Sequence, residues 1–444
     1  MKNIFDYYKI MISRFLSPKI INFILAFLFS YTFYRCYVDF LYTYFEYAGF
    51  PYYEKSNIFL ILTLLMCSLP VFFFNGIKYI SSFISVFIFI ILYIPTIITF
   101  SLGLNYGYFK IFCYEFVFFT SMILFFISDR INIKSTYLKR FKIIKFQHIL
   151  FVNILITIWM LFIYRSNLRF VSFEDVYTQR FSNADLGNDV FSKYMFSWLK
   201  NLFIPLVLLY GIIKKKKAYL IIGTFSCVCV YMSIAAKGTI LMPIILGGMY
   251  FLLKKFSFKN IYFSMITVLT VILSLLLIFT NKDSSILFLI SSILMWRVIG
   301  TGGNLNLAYF EFFGNHPKTY YSHIGPVNFI TNMYPYNDLG LGQVVGQYFW
   351  AEDMNANANF WATDGIAAIG ILGVLIISLF FTIILIYINK VTYHYDLNFL
   401  ILVFIPILGG LLNTSLFSTI LSGGGFFIIV VLKFLKSDEF IKVD

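Results

Sequence analysis

Residues 297–364 read RVIGTGGNLNLAYFEFFGNHPKTYYSHIGPVNFITNMYPYNDLGLGQVVGQYFWAEDMNANANFWATD, in a chain otherwise dominated by long apolar runs. The segment holds two of the four histidines, with carboxylates, glycines and aromatics throughout. Irregular backbone is excluded from the lipid-facing hydrocarbon region because its amides would lack hydrogen bonds. We therefore expect this segment to lie outside the bilayer or in a protein-lined cavity. A long structured loop in a helical membrane protein often takes part in binding or catalysis. The alternative is a loop that only covers the helices beneath it.

The composition is that of a membrane protein. The chain has 444 residues, of which 60% are hydrophobic and 12% charged, and its mean hydropathy is +0.84. Soluble domains have about twice that charged fraction. The net charge of +14 does not indicate a nucleic-acid partner, because the basic residues lie beside apolar runs, as in cytoplasmic loops of membrane proteins. We predict an all-α, polytopic helical membrane protein surrounded by membrane lipids.

The sequence predicts neither a metal nor a cofactor. The five cysteines all fall inside apolar runs, where a thiol behaves as a small apolar side chain. The chain has no phosphate-binding GxxxxGK[ST] loop, no dinucleotide-binding glycine pattern and no HExxH pair. Any transfer reaction would therefore take its energy from an activated substrate.

About twelve apolar runs are long enough to cross a hydrocarbon core of about 30 Å. They lie near residues 20–40, 57–75, 79–101, 108–128, 147–165, 198–213, 218–235, 239–253, 260–280, 364–389, 397–414 and 416–433.

Basic residues give these runs an orientation. The loop 130–146, the lysines 214–217 and the lysines of 254–259 fall on one side when the runs alternate, and the positive-inside rule makes that side cytoplasmic. Both chain ends are then cytoplasmic. We expect Ser285–Gly300 to form a short interfacial or re-entrant helix. The result is one integral domain, residues 1–444, with outer loops at 166–197 and 281–363, the second containing short helices.

Several cations lie on the predicted outer side, against the usual bias. Lys237 lies in the tight turn AAKGT, where it either faces an anionic substrate or extends to the lipid headgroups. Arginine suits phosphate because its planar guanidinium donates in pairs. Arg169, Arg180 and Arg297 are therefore candidate anion ligands. For Arg169 and Arg180 the alternative is internal ion pairs with the neighbouring acids Glu174, Asp175, Asp185 and Asp189.

The long outer loop supplies the candidates for proton transfer. His316 and His323 could shuttle a proton near neutral pH, or could be hydrogen-bonded structural residues. Asp364 opens an apolar run, where a carboxylate also serves as a helix N-cap. The many tyrosines and tryptophans of the loop suit a sugar-binding surface or an interfacial belt.

Three short motifs resemble the O-antigen polymerase and ligase group of membrane glycosyltransferases. AAKGT at 235–239 resembles the serine-arginine-glycine turn of that group. Arg297 followed by His316-Pro317 resembles its arginine and "HP" pair at the start of the large periplasmic loop. NANANFWATDGIAAIGILGV, residues 355–374, resembles the asparagine-rich motif and Gly-rich helix that end that loop.

The departures from this pattern favour a polymerase over a ligase. Lys237 stands where the group has an arginine, and Ala358 stands where the ligases have a histidine before the asparagine aligned with Asn359. The arginine-to-glycine spacing of some polymerases is not reproduced around Arg169 or Arg180.

The resemblance implies transfer of a glycan from undecaprenyl diphosphate to an incoming lipid-linked repeat unit, at the periplasmic face of a bacterial inner membrane. Arg297, Lys237, Arg180 and Arg169 would hold the diphosphate, and His323, His316 or Asp364 would orient or deprotonate the acceptor. The implied partners are the lipid-linked oligosaccharide and a protein that regulates chain length. The rival interpretation is a lipid-linked oligosaccharide flippase, which should carry its charges in a cavity between helices.

Overall fold

The protein is a multi-pass, helical membrane protein. The computed structural model describes residues 17–131, 143–172, 175–183, 185–255, 261–280, 285–436 and 440, and over these residues it contains helices and no strand. Within that part of the chain, ten helices are long and apolar enough to cross a membrane, and Asn57–Phe73 and Leu397–Asn413 are shorter apolar helices. The prediction of an all-α polytopic protein is confirmed.

The described part of the chain contains eighteen helices. In order they are α1 (Pro18–Ala48), α2 (Asn57–Phe73), α3 (Ile80–Gly103), α4 (Tyr108–Ile127), α5 (Phe146–Tyr164), α6 (Val176–Ser182), α7 (Val190–Lys214), α8 (Lys217–Ile234), α9 (Lys237–Ile240), α10 (Met242–Lys255), α11 (Ile261–Phe279), α12 (Ser285–Asn315), α13 (Gly325–Thr331), α14 (Leu341–Phe349), α15 (Trp361–Ala367), α16 (Ile371–Thr392), α17 (Leu397–Asn413) and α18 (Leu416–Phe434).

Parts of the predicted topology lie outside the described residues. These are both chain ends, most of the basic loop 130–146, Glu174, the lysine at position 259 and the first residues of the loop 281–363. The orientation of the chain ends and the single domain over 1–444 stay predictions.

The chain divides into two compact units. The first unit comprises Met1–Asn132, Phe256–Tyr387 and Leu411–Leu416, and the second comprises Ile133–Lys255, Ile388–Gly410 and Phe417–Asp444.

Helix α3 is the centre of the first unit. In its most apolar window 94% of the residues are buried, against 39% for α1 and for α4. Its hydroxyl groups bond to neighbouring helices: Tyr93 donates to the carbonyl of Met66 (2.7 Å) and Ser85 to that of Phe125 (3.1 Å). A buried polar group is destabilising without such a partner, so these bonds fix how the neighbours pack on α3.

Helix α12 differs from its predicted form. It does not end at Gly300 but continues to Asn315 through a π-helical stretch, Ser292–Gly300. The polar residues of this continuation have partners on other segments: Asn304 donates to the carbonyl of Ala48 (2.9 Å) and Asn306 to the hydroxyl of Thr96 (2.8 Å). Because both amide groups donate to other segments, the polar stretch remains helical and buried, although the Oδ1 atom of Asn306 has no described partner.

The described ring contacts between α12 and α1 lie near the C-terminal end of α1. Phe288 packs on Phe40 and Phe45, with ring centroids 5.5 and 6.0 Å apart, and Trp296 packs on Phe45 at 4.4 Å. Asn304, sixteen residues after Phe288, still contacts Ala48. Helices that lie side by side contact each other along their length, so these contacts show that α12 crosses over that end of α1.

The second unit has two distinct ends. At one end Ile144 pairs with Leu435, and Phe146 stacks on Tyr210 with centroids 4.3 Å apart. The lysines at positions 145, 214–217, 433 and 436 belong to this end, which we call the lysine-bearing end. Helices α5, α7 and α8 pack together, and the side chain of Asn153 donates to Ser226 (2.8 Å) across α5 and α8.

The opposite end of the second unit is built from α6 and the C-terminal end of α8. Asn183 donates to the carbonyl of Ser233 (2.7 Å), and Gln179 donates to that of Met232 (3.1 Å). Carbonyls at the end of a helix have no partner within that helix. Gln179 and Asn183 donate to these terminal carbonyls, so hydrogen bonds hold α6 against the C-terminal end of α8. The predicted outer loop 166–197 therefore contains α6 and the first turns of α7, which begins at Val190 and not near residue 198.

Candidate functional site

A cationic cavity lies in the second unit, at the end opposite to the lysine-bearing end. Its volume is about 290 Å³, and Arg180, Lys193 and Lys200 line it together with the amides Asn183 and Asn188. None of the described residues that line it is acidic. Three cations around one cavity repel each other unless an anion shares the space, so the arrangement favours a bound anion.

Local geometry keeps this cavity open. Gly187 has a φ of +62°, in the left-handed region, and a Cβ atom there would lie 2.9 Å from the ring of Phe196 and 3.1 Å from the hydroxyl of Tyr164. That hydroxyl donates to the carbonyl of Leu186 (2.9 Å). Only glycine tolerates both this backbone conformation and this close approach.

Arg180 was predicted as an anion ligand, and it lies at the cavity. Its guanidinium donates to the carbonyl of Ala235 (3.1 Å), which has a φ of +50° and ends α8. Lys237 begins α9 two residues later. The structure thus brings Arg180 to the predicted AAKGT turn. Lys237 itself is half-buried and is not among the described residues that line the cavity.

The other two predicted anion ligands lie elsewhere. Arg169 is exposed, and its main-chain amide donates to the carbonyl of Met232 (3.3 Å). Arg297 belongs to the first unit, is exposed, and holds its guanidinium 4.1 Å above the ring of Trp296. Their predicted roles in binding stay predictions.

Two of the cavity's three cations, Lys193 and Lys200, were not predicted from the sequence. Lys193 is exposed in the first turn of α7, and Lys200 lies in the π-helical turn Leu199–Phe203 of the same helix. Helix α7 is a candidate membrane span. A lysine inside a span faces a cavity or a partner, because its charge is costly in lipid. That signal, a lysine within the apolar run WLKNLFIPLVLL, was available from the sequence.

Asp364 is the centre of a second polar cluster, in the first unit. Its carboxylate is fully buried and has partners on two other segments, at His323 and at residues 415–416. Oδ1 accepts from the Ser415 hydroxyl (2.6 Å) and lies 3.1 Å from Nε2 of His323, while Oδ2 accepts from the Leu416 amide (2.6 Å). A buried carboxylate is tolerated when donors surround it in this way.

The predicted N-cap role of Asp364 in its own helix is wrong. That helix begins earlier, and Asn359 caps it by accepting from the amides of Trp361 (3.0 Å) and Ala362 (3.4 Å). Asp364 instead caps α18 through the amide of Leu416, the first residue of that helix. A negative charge at a helix N-terminus is stabilised by the helix dipole.

His323 is held at both ring nitrogens. Nε2 faces Asp364, and Nδ1 lies 2.9 Å from the hydroxyl of Thr319. Thr319 is buried, and its main-chain amide donates to the carbonyl of Ala367 (2.9 Å). Asp364 engages Nε2, and in this conformation the Thr319 hydroxyl already engages the other ring nitrogen, Nδ1. An acceptor hydroxyl would therefore reach His323 only by taking the place of Thr319.

His316 is not part of this cluster. Its ring stacks on Phe312 with centroids 4.1 Å apart, and Nδ1 lies 2.9 Å from the carbonyl of Phe312, so Nδ1 carries the proton. The edge of Tyr348 packs against the same ring at 5.0 Å. The described contacts of His316 are those of a residue that packs among aromatic rings.

The aromatic residues of the loop do not form one open surface. Trp361 is fully buried and donates to the hydroxyl of Ser378 (2.9 Å), so it cannot stack on a sugar from outside. Tyr336 and Tyr348 pack around Phe312. Burial raises the pKa of Tyr336 to about 12.

Across the described residues, no group of three or more His, Cys, Asp or Glu side chains could hold a metal ion, and the five cysteines are free thiols. Comparison of the chain with protein-family models, curated proteins and solved structures finds no match. The assignment of a function therefore rests on the residues of this chain.

Proposed function

We propose that the protein is an O-antigen polymerase, a membrane glycosyltransferase that uses a glycan linked to undecaprenyl diphosphate. The observation that carries the proposal is the cavity of about 290 Å³ lined by Arg180, Lys193 and Lys200 with no acid among its described lining residues. A diphosphate is a compact polyanion that such a cavity can bind by charge and by hydrogen bonds from the two asparagines.

The position of Lys200 supports a ligand that belongs to a lipid. Lys200 lies within a candidate membrane span, whereas Lys193 is one turn from the start of that helix. A site for a soluble anion would not need a lysine placed within a membrane span, as Lys200 is. A diphosphate joined to a polyprenyl chain lies at the boundary between headgroups and hydrocarbon, where these side chains meet both environments.

The basic residues support a periplasmic location for the cavity. The lysine-bearing end of the second unit is cytoplasmic by the positive-inside rule, and the cavity lies at the opposite end of the same helices. The activated donor waits on the outer leaflet, so a polymerase needs its diphosphate site there. The cell inner membrane is the corresponding location.

In the proposed reaction the bond between the donor's anomeric carbon and the diphosphate oxygen breaks, and a bond forms from that carbon to an acceptor hydroxyl oxygen. The bonding electrons leave with the diphosphate, and the hydroxyl proton passes to a base. Arg180, Lys193 and Lys200 would stabilise the charge on the leaving diphosphate.

A flippase for lipid-linked oligosaccharides is the second candidate function, and one observation favours it. Lys200 lies between the ends of α7, as a transporter with charges inside its helical bundle requires. The lipid-linked pool separates the two functions. Deletion of a polymerase leaves single repeats on lipid A core, whereas deletion of a flippase removes all repeats from the outer surface.

The polymerase proposal is tested by complementation of a polymerase-null strain. We expect Lys200→Met and Arg180→Gln to abolish long polysaccharide ladders, while Arg165→Gln retains them. Arg165 is the matched control because it is exposed near the same end of α5, over the ring of Phe162 at 4.7 Å, and does not line the cavity. Full-length ladders from both cavity variants, at normal protein levels, would overturn the proposal.

Arg297 is tested separately in the same strain. Arg297→Ala and Arg297→Lys both disrupt the ladders if the guanidinium binds the diphosphate in a bidentate manner. Full ladders from both variants would remove Arg297 from the site and leave the cavity proposal intact.

A further inference from the structure

Helix α13 exposes an apolar tip. Of its seven residues none is buried, and Phe329 and Ile330 are 91% and 84% exposed. Met333, two residues beyond the helix, is 63% exposed. Single exposed apolar side chains are common on protein surfaces. Three large ones within five residues form an apolar patch whose exposure to water is unfavourable. We call Phe329, Ile330 and Met333 the apolar tip.

The apolar tip is held in a defined conformation. Asn332 ends α13 in the left-handed region, with a φ of +47°, and its amide donates to the carbonyl of Asn328 (2.7 Å). The side chain of Asn328 accepts from the amide of Tyr334 (3.1 Å), which holds the chain after the turn. The apolar side chains are therefore presented by an ordered turn.

The sequence around the apolar tip is uncharged. No Asp, Glu, Lys or Arg lies between Lys318 and Asp338. The charged residues of the same loop lie further along the chain, where Asp338, Glu352 and Asp353 are all exposed. The loop thus has an uncharged, apolar part and a separate acidic part.

A bilayer surface is the occupant that these features fit. The loop leaves the apolar helix α12 and returns to the membrane through α16, so lipid headgroups are within its reach. A soluble protein partner would normally be met by a polar rim around an apolar centre, whereas the residues around the tip carry no charge. An uncharged tip also enters the headgroup region without burying an ion.

We propose that Phe329, Ile330 and Met333 insert into the headgroup–acyl boundary of the bilayer, and that the loop between α12 and α16 is a lipid-contacting surface. The acidic part of the loop, with Asp338, stays in water. The inference does not depend on the proposed glycan transfer, because it concerns only contact with lipid.

Fluorescence quenching in nanodiscs tests this contact. Phe329→Cys is labelled with the environment-sensitive dye NBD, and the unsubstituted protein gives the background from the five native thiols. Two quenchers are compared: iodide in the water, and nitroxide groups attached to phosphatidylcholine. We expect the label at 329 to be shielded from iodide and quenched by nitroxides at a depth of about 5–10 Å below the headgroups.

Asp338→Cys is the matched control, nine residues along the same loop and exposed. Its label should be quenched by iodide and not by the lipid nitroxides. Equal iodide quenching at 329 and 338 would overturn the proposal. Shielding of the label at 329 from both quenchers would also overturn the proposal, because it would mean that protein covers the apolar tip. If the Phe329→Cys variant folds poorly, Ile330→Cys repeats the measurement.

Discussion

Replacement of Asp364 by alanine should destabilise the first unit. The substitution removes the acceptor of two buried donors, the main-chain amide of Leu416 and the ring of His323. An unsatisfied buried donor costs about 1–3 kcal/mol, so the two together cost about 2–6 kcal/mol. The Ser415 hydroxyl can rotate toward another acceptor and adds little. We therefore expect a large fall in the free energy of unfolding.

The conservative variant Asp364→Asn separates charge from shape. It keeps the volume of the side chain and one acceptor oxygen, but its NH₂ group must face either Leu416 or His323. Facing Leu416, the NH₂ group leaves that amide without an acceptor, which costs about 1–3 kcal/mol; facing His323, it can donate to an unprotonated Nε2, and the loss is smaller. In a double-mutant cycle with His323→Ala, we expect Asp364 and His323 to show a coupling energy of about 0.5–3 kcal/mol.

The assay is equilibrium unfolding by titration with SDS from detergent micelles, followed by intrinsic fluorescence. Asp338→Ala is the matched control, since this acid is exposed in the same loop and its loss should change stability by less than about 0.5 kcal/mol. Wild-type stability in Asp364→Ala would refute the hydrogen-bond network around Asp364. Full stability with lost glycan transfer would instead assign Asp364 to catalysis alone.

Three further changes have expected outcomes. Gly187→Ala, which forces a left-handed alanine against Phe196, should cost about 1–3 kcal/mol and weaken diphosphate binding, measured by SDS titration and by calorimetry. Glu115→Met should raise stability by about 1–3 kcal/mol, because both carboxyl oxygens are buried and no described group bonds to them; a loss of stability would contradict this. Asn359→Ala should cost about 0.5–2 kcal/mol by uncapping the helix that begins at Trp361, and Asn359→Ser should restore part of that loss.

The sequence predicted most of the fold, because an apolar run of span length has few alternatives to a membrane helix. It failed where polar residues are satisfied by distant segments. Residues 301–315 contain Asn304 and Asn306, which indicate a loop when considered alone. Their partners, Ala48 and Thr96, are more than 200 positions away in the chain. No local sequence pattern predicts such a contact.

The candidate sites were predicted in part. His323 and Asp364 were selected as residue types suited to proton transfer, and the structure brings them to 3.1 Å. Their pairing could not be read from the sequence, and neither could Ser415, 51 positions after Asp364. Arg180 was selected for its charge, while Lys200 was overlooked although a lysine in an apolar run is itself a signal.

The hydrogen bonds between Asp364 and residues 415–416 have a consequence for biosynthesis. The carboxylate and its donors are separated by 51 and 52 positions, and α16 and α17 lie between them in the chain. During translation Asp364 therefore leaves the ribosome well before Ser415 and Leu416 are made. Until those residues arrive, the carboxylate has His323 but lacks its donors Ser415 and Leu416, so a product terminated before Ser415 should be less stable and more rapidly degraded.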